Sequence, residues 1–358
     1  MNKTNIVVVG SSNTDMTIRL AHLPVPGETE IGGDFGMAAG GKGANQAVGA
    51  ARAGGSVTLV ARVGNDMFGN NAIAGFTKDA INVDFVVEDP KAKSGVALIF
   101  VGKKSGENSI AVASGANALL SPADVKRAAK PIREANILIM QLETPLATVE
   151  AAAALAVKAG VRVILNPAPA PARPLPAKLL RQVSIITPNE TEAEKLTGIK
   201  VTTTADAAKA ADWLMAKGVG AVIITLGSRG SFVATSEGKK LVPSYKVKPL
   251  DTTGAGDIYN GVLAVALAEG KPILEAARFA NAAGALSITR LGAQPSAPSR
   301  KEIESFFSGQ EANRTSGARR ATNERTTAPR RRRSASVRSS ECKVRKSQNA
   351  TNDAVYAA

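Results

Sequence analysis

Short runs of β-branched and other apolar residues alternate with alanine-rich stretches along most of this chain. Six of the runs read NIVVVGS, VTLVARVG, ILIMQLE, VRVILNPAP, VSIITPNE and AVIITLGS. Continuous apolar runs of this length are typical of strands covered on both faces, as in parallel sheets. The alternation therefore predicts an α/β fold with a central, mostly parallel β-sheet that is flanked by helices on both faces.

The stretches between these runs carry amphipathic helical patterns. They cover residues 44–53, 72–80, 121–134, 146–159 and 203–217. The helix at 121 has a strong start signal, because Ser121 can serve as N-cap with Pro122 at the first helical position. A further helix is predicted within GAGDIYNGVLAVALAEG, which starts at glycines and ends at Gly270.

Two segments interrupt the alternation of strands and helices. Residues from about 14 to 39 and from about 92 to 112 alternate polar and apolar residues around turn signals. This pattern predicts hairpins of a small antiparallel sheet with one face in water. Because the first hairpin lies beside a glycine-rich loop, we interpret the pair as a lid; ordinary edge strands are the alternative.

The composition removes several kinds of chemistry. The chain has 358 residues, of which 44% are hydrophobic, enough for a substantial core. Its one cysteine, Cys342, and one histidine, His22, argue against a disulfide framework, a Cys/His zinc site and a Cys-His dyad. Catalysis must then depend on carboxylates, Lys or Arg, backbone amides or a metal with oxygen ligands.

No apolar run approaches the roughly 20 residues needed to span a bilayer. The N-terminal sequence MNKTNIVVVGSSNTD enters a strand-like run directly, without the pattern of a signal peptide. We therefore expect no membrane partner and a cytoplasmic location.

The basic charge is concentrated at the C-terminus. Residues 310–358 contain ten Arg and two Lys against three Glu and one Asp, a net +8 out of +15 for the chain. This tail has almost no large apolar residues, so it is predicted to be disordered and separate from a folded domain over 1–309. Its RRRRS run could bind nucleic acid non-specifically by counterion release, although no aromatic residues interleave for base stacking. The alternative is an extension without function.

The stretch GMAAGGKGA, which begins at Gly36, has the G-x-x-x-x-G-K spacing of a P-loop. However, Gly43 stands where a P-loop has the Ser or Thr that binds Mg²⁺. The residues ahead of it, ETEIGGDF, are polar and glycine-rich, whereas a P-loop follows a buried strand. The match is therefore interpreted as accidental.

The stretch LDTTGAGDIYNG is the strongest local signal for chemistry. Gly254, Ala255 and Gly256 precede Asp257, and an apolar helix pattern starts immediately afterwards. Free amides at a helix N-terminus form an anion site that suits a phosphate in transfer. A carboxylate in the same turn makes sense if it removes a proton from an attacking hydroxyl, so Asp257 is a candidate general base. A plain helix cap is the alternative.

Other polar residues follow the predicted strands. Asn13 and Asp15 come just after the first strand, and Glu143 ends ILIMQLE, so all three lie at the edge where open α/β sheets bind ligands. Asn189 and Glu192 lie three residues apart at the start of a helix and project from one face. Turn residues and a capping arrangement are the respective alternatives.

Taken together, these blocks resemble the ribokinase-like carbohydrate kinase family. The blocks GSSNTD, PGET, GGKGANQAV, GVALIFV, GAN, QLE, LNPAPA, TPNETEAEKLTG, ITLGSRG, DTTGAGD and GAQPS occur in the family's order over roughly residues 5–308. The resemblance implies ATP-dependent transfer of the γ-phosphoryl group to O5 of D-ribose. It also implies that the lid can pair between subunits as a homodimer.

The resemblance also assigns roles to residues of this chain. It implies that D-ribose is bound by Asn13, Asp15, Gly41, Lys42, Asn45, Glu143 and Asp257, so that the glycine-rich loop is a sugar loop. It implies catalysis by Asp257 with the anion hole of Gly254, Ala255 and Gly256. ATP contacts are implied for Asn189, Glu192, Thr225, Gly227, Ser228, Gly230, Gly256 and Asn281. Mg²⁺ is implied at Asn189 and Glu192, largely through water, and an activating K⁺ at Asp251, Thr253, Ser287, Arg290, Gly292 and Ser296.

Several alternatives stay open. A kinase for deoxyribose, fructose or a nucleoside such as adenosine would share most of these blocks. A nucleic-acid-binding protein that acts through the basic tail, or a scaffold without turnover, is disfavoured because every catalytic block is intact. The tail from about Gln310 has no counterpart in the family pattern.

Overall fold

The computed structural model of the chain describes residues 4–103 and 107–310. The predicted basic tail, apart from Gln310, lies outside the described residues. The strands are β1 Asn5–Val9, β2 Asn13–Leu20, β3 Asp34–Gly40, β4 Ser56–Gly64, β5 Asn82–Asp89, β6 Gly95–Gly102, β7 Asn108–Ala113, β8 Ile137–Met140, β9 Arg162–Leu165, β10 Ile185–Ile186, β11 Ala221–Thr225, β12 Ser231–Thr235 and β13 Gly238–Val242. The helices are α1 Lys42–Arg52, α2 Met67–Lys78, α3 Pro122–Arg127, α4 Ala129–Glu134, α5 Leu146–Lys158, α6 Ala177–Leu180, α7 Glu190–Thr197, α8 Thr204–Ala216, α9 Ala255–Ala268 and α10 Ile273–Ser287. Residues 300–310 are also helical.

Nine strands form the central sheet, in the order β13-β12-β11-β10-β9-β8-β1-β4-β5. All neighbours from β11 to β5 pair in parallel, and only the pairs β11–β12 and β12–β13 at one edge are antiparallel. The predicted mostly parallel α/β architecture is confirmed. The carboxyl ends of β1, β8, β9, β10 and β11 therefore meet along one edge.

Each face of this sheet is covered by an apolar cluster. Along β1, Ile6 and Val8 belong to a cluster with α1, α9 and α10, whereas Val7 and Val9 belong to a cluster with α5 and α8. These strand side chains are at most 2% exposed. Burial on both faces explains why the strand sequences are continuous apolar runs.

The lid segments form a separate four-stranded sheet in the order β3-β2-β6-β7. The hairpins β2–β3 and β6–β7 are antiparallel, as predicted, and their inner strands β2 and β6 pair in parallel. Strand β2 begins only three residues after β1 ends, so the lid is joined directly to the edge of the main sheet where the carboxyl ends of the parallel strands meet.

The helical predictions hold for most segments, with one correction. The predicted helix over 121–134 is two helices, α3 and α4, separated at Ala128. Pro131 is the physical reason, because its ring clashes with the carbonyl of residue 127 and it has no N–H to donate. Among the described residues, every helix is too short or too polar to span a bilayer.

Candidate active site

The glycine-rich loop between β3 and α1 packs backbone against backbone on residues 10–13. Gly41 has φ 87°, and a Cβ there would lie 2.6 Å from the amide nitrogen of Asn13. A Cβ on Gly43 would lie 2.5 Å from the nitrogen of Ser11. Only glycine fits at either position, because the close neighbours are backbone atoms that cannot move aside. The loop follows a lid strand rather than a strand of the central sheet, unlike a P-loop.

Glu143 is held by the same loop. Its Oε2 accepts hydrogen bonds from the Ser11 hydroxyl at 2.5 Å and from the backbone N–H of Lys42 at 2.9 Å. The Ser11 hydroxyl oxygen in turn accepts the N–H of Gly43 at 3.3 Å. These bonds fix one carboxylate oxygen of Glu143 in place.

Asn13 is oriented by Asn117, from the short turn that follows β7. Asn117 Nδ2 donates to Asn13 Oδ1 at 2.7 Å, and Asn117 Oδ1 accepts the N–H of Ser12 at 2.9 Å. Gly95 makes room for this pair, since a Cβ there would lie 2.1 Å from Asn13 Oδ1. The amide nitrogen of the Asn13 side chain is thereby turned away from Asn117.

Asp15 extends from lid strand β2 over Gly40, where an added Cβ would collide with its carboxyl group. Burial, followed by the negative charges of Glu143 and Asp257, raises the pKa of Asp15 to about 6, while Lys42 opposes the shift. The lid therefore places its own carboxylate close to two carboxylates of the main domain. Such like-charge crowding is common at functional sites.

A raised pKa for Asp15 has a consequence for stability that can be tested. Between about pH 4 and pH 6 the folded protein holds a proton that the unfolded chain has released, so the free energy of unfolding falls as pH rises through this window. Asp15→Asn removes the penalty for the ionised form. We expect it to raise the free energy of unfolding of the ligand-free protein by about 1 kcal/mol at pH 7.5. The gain is modest because solvent screens a carboxyl group that is only partly buried. At pH 4, where Asp15 is protonated in the folded protein, the gain should be much smaller.

The measurement is denaturant unfolding at both pH values. Asp34→Asn is the matched control, because Asp34 is an exposed lid carboxylate that pairs with Lys103 at 2.8 Å. An equal gain for Asp15→Asn at both pH values would contradict the prediction.

Asp257 lies in the first turn of α9 and is 6% exposed. Its Oδ2 accepts from Asn45 Nδ2 at 3.0 Å, and its Oδ1 accepts from Gln46 Nε2 at 3.0 Å. The α9 N-terminus has no side-chain cap; its N-cap Gly254 has φ 72°, which favours glycine. The sequence therefore turns sharply into α9 and leaves the carboxylate between the helix start and α1.

The amides of this helix start differ from one another. The N–H of Ala255 donates to Thr252 O at 3.3 Å, a long bond. Within the described residues, the N–H groups of Gly256 and Asp257 have no backbone acceptor outside the helix and no side-chain acceptor. A Cβ on Gly256 would meet open space. An anion could therefore approach the start of α9.

A cavity opens at this helix start. Its walls are formed by Lys42, Asn166, Ala168, Thr187, Asn189, Glu192, Thr225, Thr252, Gly254, Ala255, Gly256, Asp257 and Asn260. The Lys42 ammonium group is mostly buried, and its pKa is raised chiefly by Asp257 and further by Glu143, Glu192 and Asp15. The cavity thus combines a cation, free amides and carboxylates, which suits a phosphate next to a proton acceptor.

Asn189 and Glu192 form the capping box that was the alternative for them, and both also line the cavity. Asn189 Oδ1 accepts the N–H of Glu192 at 2.8 Å, and Glu192 Oε2 accepts the N–H of Asn189 at 2.9 Å. Burial raises the pKa of Glu192, and the charge of Lys42 opposes that shift. The capping bonds occupy one Glu192 oxygen and leave Oε1, so capping and metal or phosphate contact are compatible.

The remaining residues assigned to ATP divide into two groups. Thr225 lines the cavity and pairs with Asn189 in an isolated parallel bridge. Gly227, Ser228 and Gly230 form the turn after β11 and lie outside the cavity wall. Asn281 is also outside the cavity wall, and its Nδ2 donates to Val242 O at 3.1 Å.

The residues assigned to a monovalent cation come from the loop before α9, from the C-terminal end of α10, where Ser287 lies, and from the loop after α10. Asp251 Oδ1 accepts from the N–H and hydroxyl of Thr253, and Asp251 Oδ2 accepts the N–H of Gly292 at 2.8 Å. Ser296 is fully buried, and its hydroxyl donates to Ala293 O. The Arg290 side chain pairs with Glu302 at 2.6 Å, so only its carbonyl could serve a cation. The carboxylate, hydroxyl and carbonyl oxygens of these residues are chemically suited to K⁺, and their use as a cation site stays a prediction.

Within the described residues, the loop between β2 and β3 brings together three side chains whose ligand atoms are close enough to hold a metal ion. They are His22, Glu28 and Glu30. His22 Nε2 lies 2.9 Å from Glu28 Oε1, and the Val25 N–H donates to Glu28 Oε2. These groups are largely exposed and already paired with one another. We interpret them as an ion-pair cluster that shapes the loop.

Comparisons with known proteins place the chain in a family. Residues 3–300 match the model of the pfkB family carbohydrate kinases. The chain belongs to this family. It is 45% identical over 307 residues to a ribokinase of Haemophilus influenzae, and this alignment covers 86% of this chain and 99% of that protein. It is 38% identical over 304 residues to a deoxyribokinase of Salmonella typhi, which covers 85% of this chain and 99% of that protein.

Solved structures agree with this pfkB family assignment. The structure of Arabidopsis thaliana ribokinase complexed with ribose and ATP matches with a TM-score of 0.78 and 34% identity. It covers 85% of this chain and 99% of that chain. The overall fold of this pfkB kinase is therefore shared with a known ribokinase.

Sequence reasoning missed several polar residues of the site. They are Ser11, Gln46, Asn117, Gln141, Asn166, Thr187 and Asn260, all buried. Most of them lie inside blocks that had drawn attention, such as GGKGANQAV, GAN, QLE and LNPAPA. Their position beside candidate residues at strand ends is the signal that could have identified them.

Proposed function

We propose that this protein phosphorylates D-ribose at O5 with ATP, giving D-ribose 5-phosphate and ADP. The observation that carries the proposal is the Asp257 carboxylate at the uncapped start of α9, beside a cavity that also contains the Lys42 ammonium group. A base next to an anion site is what transfer of a phosphoryl group to an alcohol requires. The 45% identity with a ribokinase over nearly its whole length supports ribose as the alcohol.

The sugar is proposed to lie between the lid and the main domain. Asn13 and Asp15 face it from β2, and Glu143 faces it from the segment that follows β8. Gly41 and Lys42 offer backbone groups at close approach, since the loop lacks side chains that would hold a hydroxyl away. Asn45 Oδ1 is buried without a partner in the described part of the structure, and a sugar hydroxyl would satisfy it.

Phosphoryl transfer then proceeds at the start of α9. Asp257 takes the proton from the O5 hydroxyl as O5 bonds to the γ-phosphorus. The bond between that phosphorus and the β,γ-bridging oxygen breaks, and ADP leaves with the electron pair. The anion hole of Gly254, Ala255 and Gly256, with the Asp257 amide, stabilises charge on the transferred group.

The nucleotide is proposed to extend from this cavity along Thr225 and the turn of Gly227, Ser228 and Gly230 toward Asn281. Asn189 and Glu192 would hold Mg²⁺, largely through water, as oxygen ligands at the phosphate end. When bound with ATP, Mg²⁺ neutralises charge on the β- and γ-phosphates.

A monovalent cation is proposed at Asp251, Thr253, Ser287, Arg290, Gly292 and Ser296. Bound K⁺ would add positive charge beside the anion hole. The chain's own part is to hold the loop after Gly292 against the turn that precedes α9, through the Asp251–Gly292 bond. K⁺ activation is therefore part of the proposal.

The lid is proposed to pair two subunits as a homodimer. By strand register, Met16, Met37 and Leu98 share one face of the lid sheet, and Asp15 lies on the other. Met37 and Leu98 are 52% and 45% exposed. An exposed apolar face opposite the sugar-facing side fits a second copy of the lid.

Met37→Lys is expected to convert the dimer to a monomer, because a charge would be buried within the apolar face. The measurement is sedimentation or mass photometry at several protein concentrations. Val157→Lys, at a 44% exposed valine on α5, is the control and should leave the dimer intact. A wild-type protein that is monomeric throughout would contradict lid pairing.

Deoxyribose is the main alternative sugar, supported by the 38% identity with a deoxyribokinase. The two sugars differ by the 2-hydroxyl, so a side chain that binds that hydroxyl would decide between them. Non-specific nucleic-acid binding by residues 310–358 stays a prediction, since those residues lie beyond the described ones except for Gln310.

The test is a coupled assay of ADP release with ribose, deoxyribose, fructose and adenosine, each with K⁺ or with only Na⁺ present. We expect the highest kcat/KM for ribose and a several-fold higher rate in K⁺. Product analysis should place the phosphate on O5. If another compound has a higher kcat/KM, that compound and not ribose is the substrate. Equal rates with K⁺ and with Na⁺ would contradict activation by K⁺.

A further inference from the structure

Gln46 lies at the centre of a buried network of amide side chains beneath Asp257. Its Nε2 donates to Asp257 Oδ1 and to Asn166 Oδ1, both at 3.0 Å. Its Oε1 accepts from Gln141 Nε2 at 2.7 Å. Gln46 is completely buried, it is not part of the cavity wall, and both polar atoms of its amide are already bonded within the protein.

The orientation of these amides is fixed by groups that can only accept hydrogen bonds. The Asp257 carboxylate forces Gln46 to point its Nε2 toward it. The backbone carbonyl of Thr187 accepts from Asn166 Nδ2 at 2.9 Å, so Asn166 must point its Oδ1 toward Gln46. With both ends fixed, Gln46 cannot flip without losing two hydrogen bonds.

The network also connects separate elements of the site edge. Gln141 follows β8, Asn166 follows β9 and Thr187 follows β10. The Thr187 hydroxyl donates to Asn260 Oδ1 at 2.7 Å, and Asn260 Nδ2 donates to Gly256 O at 2.8 Å. Three strand ends are thereby tied to both α1 and the first turn of α9.

Asn45 and Gln46 hold the two oxygens of Asp257 in different ways. Asn45 Nδ2 donates to Oδ2, but Asn45 also has a buried Oδ1 that has no partner among the described residues and that a sugar hydroxyl would engage. Gln46, in contrast, has no unpartnered polar atom that a ligand would engage. It holds the carboxylate whether or not sugar is bound.

We infer that Gln46 is a positioning residue that fixes the rotamer of Asp257 for attack by the sugar hydroxyl. The inference rests on the proposed function, in which Asp257 is the general base. Gln46 does not itself touch the reactants. Its loss should lower turnover without weakening the binding of either substrate.

The experiment compares Gln46→Met, which keeps the length of the side chain but removes its polar atoms, with the wild-type protein. We expect kcat to fall roughly thirtyfold, within the range that loss of general-base alignment allows. The KM values for ribose and for MgATP should change less than about threefold. Gln46→Leu, which also removes the donor and has a similar volume, is the second variant and should lower kcat by a similar factor if the Met variant folds poorly.

A control separates positioning from lost stability. Thr148 is also completely buried, and its hydroxyl donates to Leu120 O at 2.6 Å in a different part of the fold. Thr148→Val removes one buried hydrogen bond at nearly constant volume. We expect it to lower Tm and leave kcat unchanged; a kcat loss as large as that of Gln46→Met would overturn the inference.

A double-mutant cycle with Asp257→Ala gives the decisive readout. If Gln46 acts through Asp257, Gln46→Met should lower kcat less than about threefold further in the Asp257→Ala background. An undiminished effect there would overturn the inference and leave the proposed function intact. If Asp257→Ala alone has little effect, the general-base proposal fails and the inference on Gln46 fails with it.

Discussion

Asp257→Asn is expected to lower kcat with ribose by at least about a hundredfold, a typical contribution of a general base. The substitution keeps the size of the side chain but leaves no group that can take the O5 proton. The KM for ribose should change much less, because other side chains and the sugar loop supply most of the proposed contacts. Steady-state kinetics at saturating MgATP and K⁺ measure both constants.

In the Asp257→Asn variant, the new side-chain amide would face two amide donors, from Asn45 and Gln46, where the carboxylate accepted from both. Asp257→Ala avoids that conflict and should show a similar loss of kcat. Asp212→Asn is the matched control, since Asp212 is an exposed carboxylate that pairs with Lys239. Near-normal turnover in both Asp257 variants would remove the residue from its role.

Asp15→Ala is expected to raise the KM for ribose by about a hundredfold. Asp15 can accept hydrogen bonds from two sugar hydroxyls, and each bond to a charged acceptor contributes about 1.5–3 kcal/mol. Loss of both therefore costs at least about 3 kcal/mol of binding, which corresponds to a factor of more than a hundred. The KM for MgATP should change little, because Asp15 lies on the lid strand and not on the cavity wall.

Asp34→Ala is the control, because Asp34 also lies on a lid strand but pairs with Lys103 on the surface. Calorimetric titration of ribose provides a second measurement that does not depend on turnover. An unchanged ribose affinity in Asp15→Ala would show that the lid carboxylate does not bind the sugar.

The main sheet could be predicted from sequence because its strands are buried on both faces. A run such as ILIMQLE can be identified as a strand without knowing which strands pair with it. Because the strands are parallel, their carboxyl ends lie at one edge. This is why Glu143 and Asp257 could be placed near one another from spacing and resemblance. The break at Ala128 was missed although Pro131, the residue that causes it, is visible in the sequence.

Pairing between distant residues could not be predicted in the same way. Alternation identified both lid hairpins, but it contains no information on strand direction, so the parallel pairing of β2 with β6 was not foreseen. The bond between Gln46 and Asp257 joins residues 211 positions apart, and that between Asn13 and Asn117 joins residues 104 apart. Buried amides have no periodic pattern that would reveal such partners.

The position of Asp15 on the lid has a consequence for how the enzyme protects ATP. Its carboxylate approaches those of Glu143 and Asp257, and this proximity contributes to its raised pKa. Without a pentose between these carboxylates, moving the lid sheet closer to the main domain costs electrostatic energy. Hydroxyl groups inserted there would screen the repulsion and donate to the anions. Bound pentose would thus favour closure of the lid over the site. Without pentose the lid would stay open, and the catalytic groups would not be aligned for transfer of the γ-phosphoryl group of ATP to water.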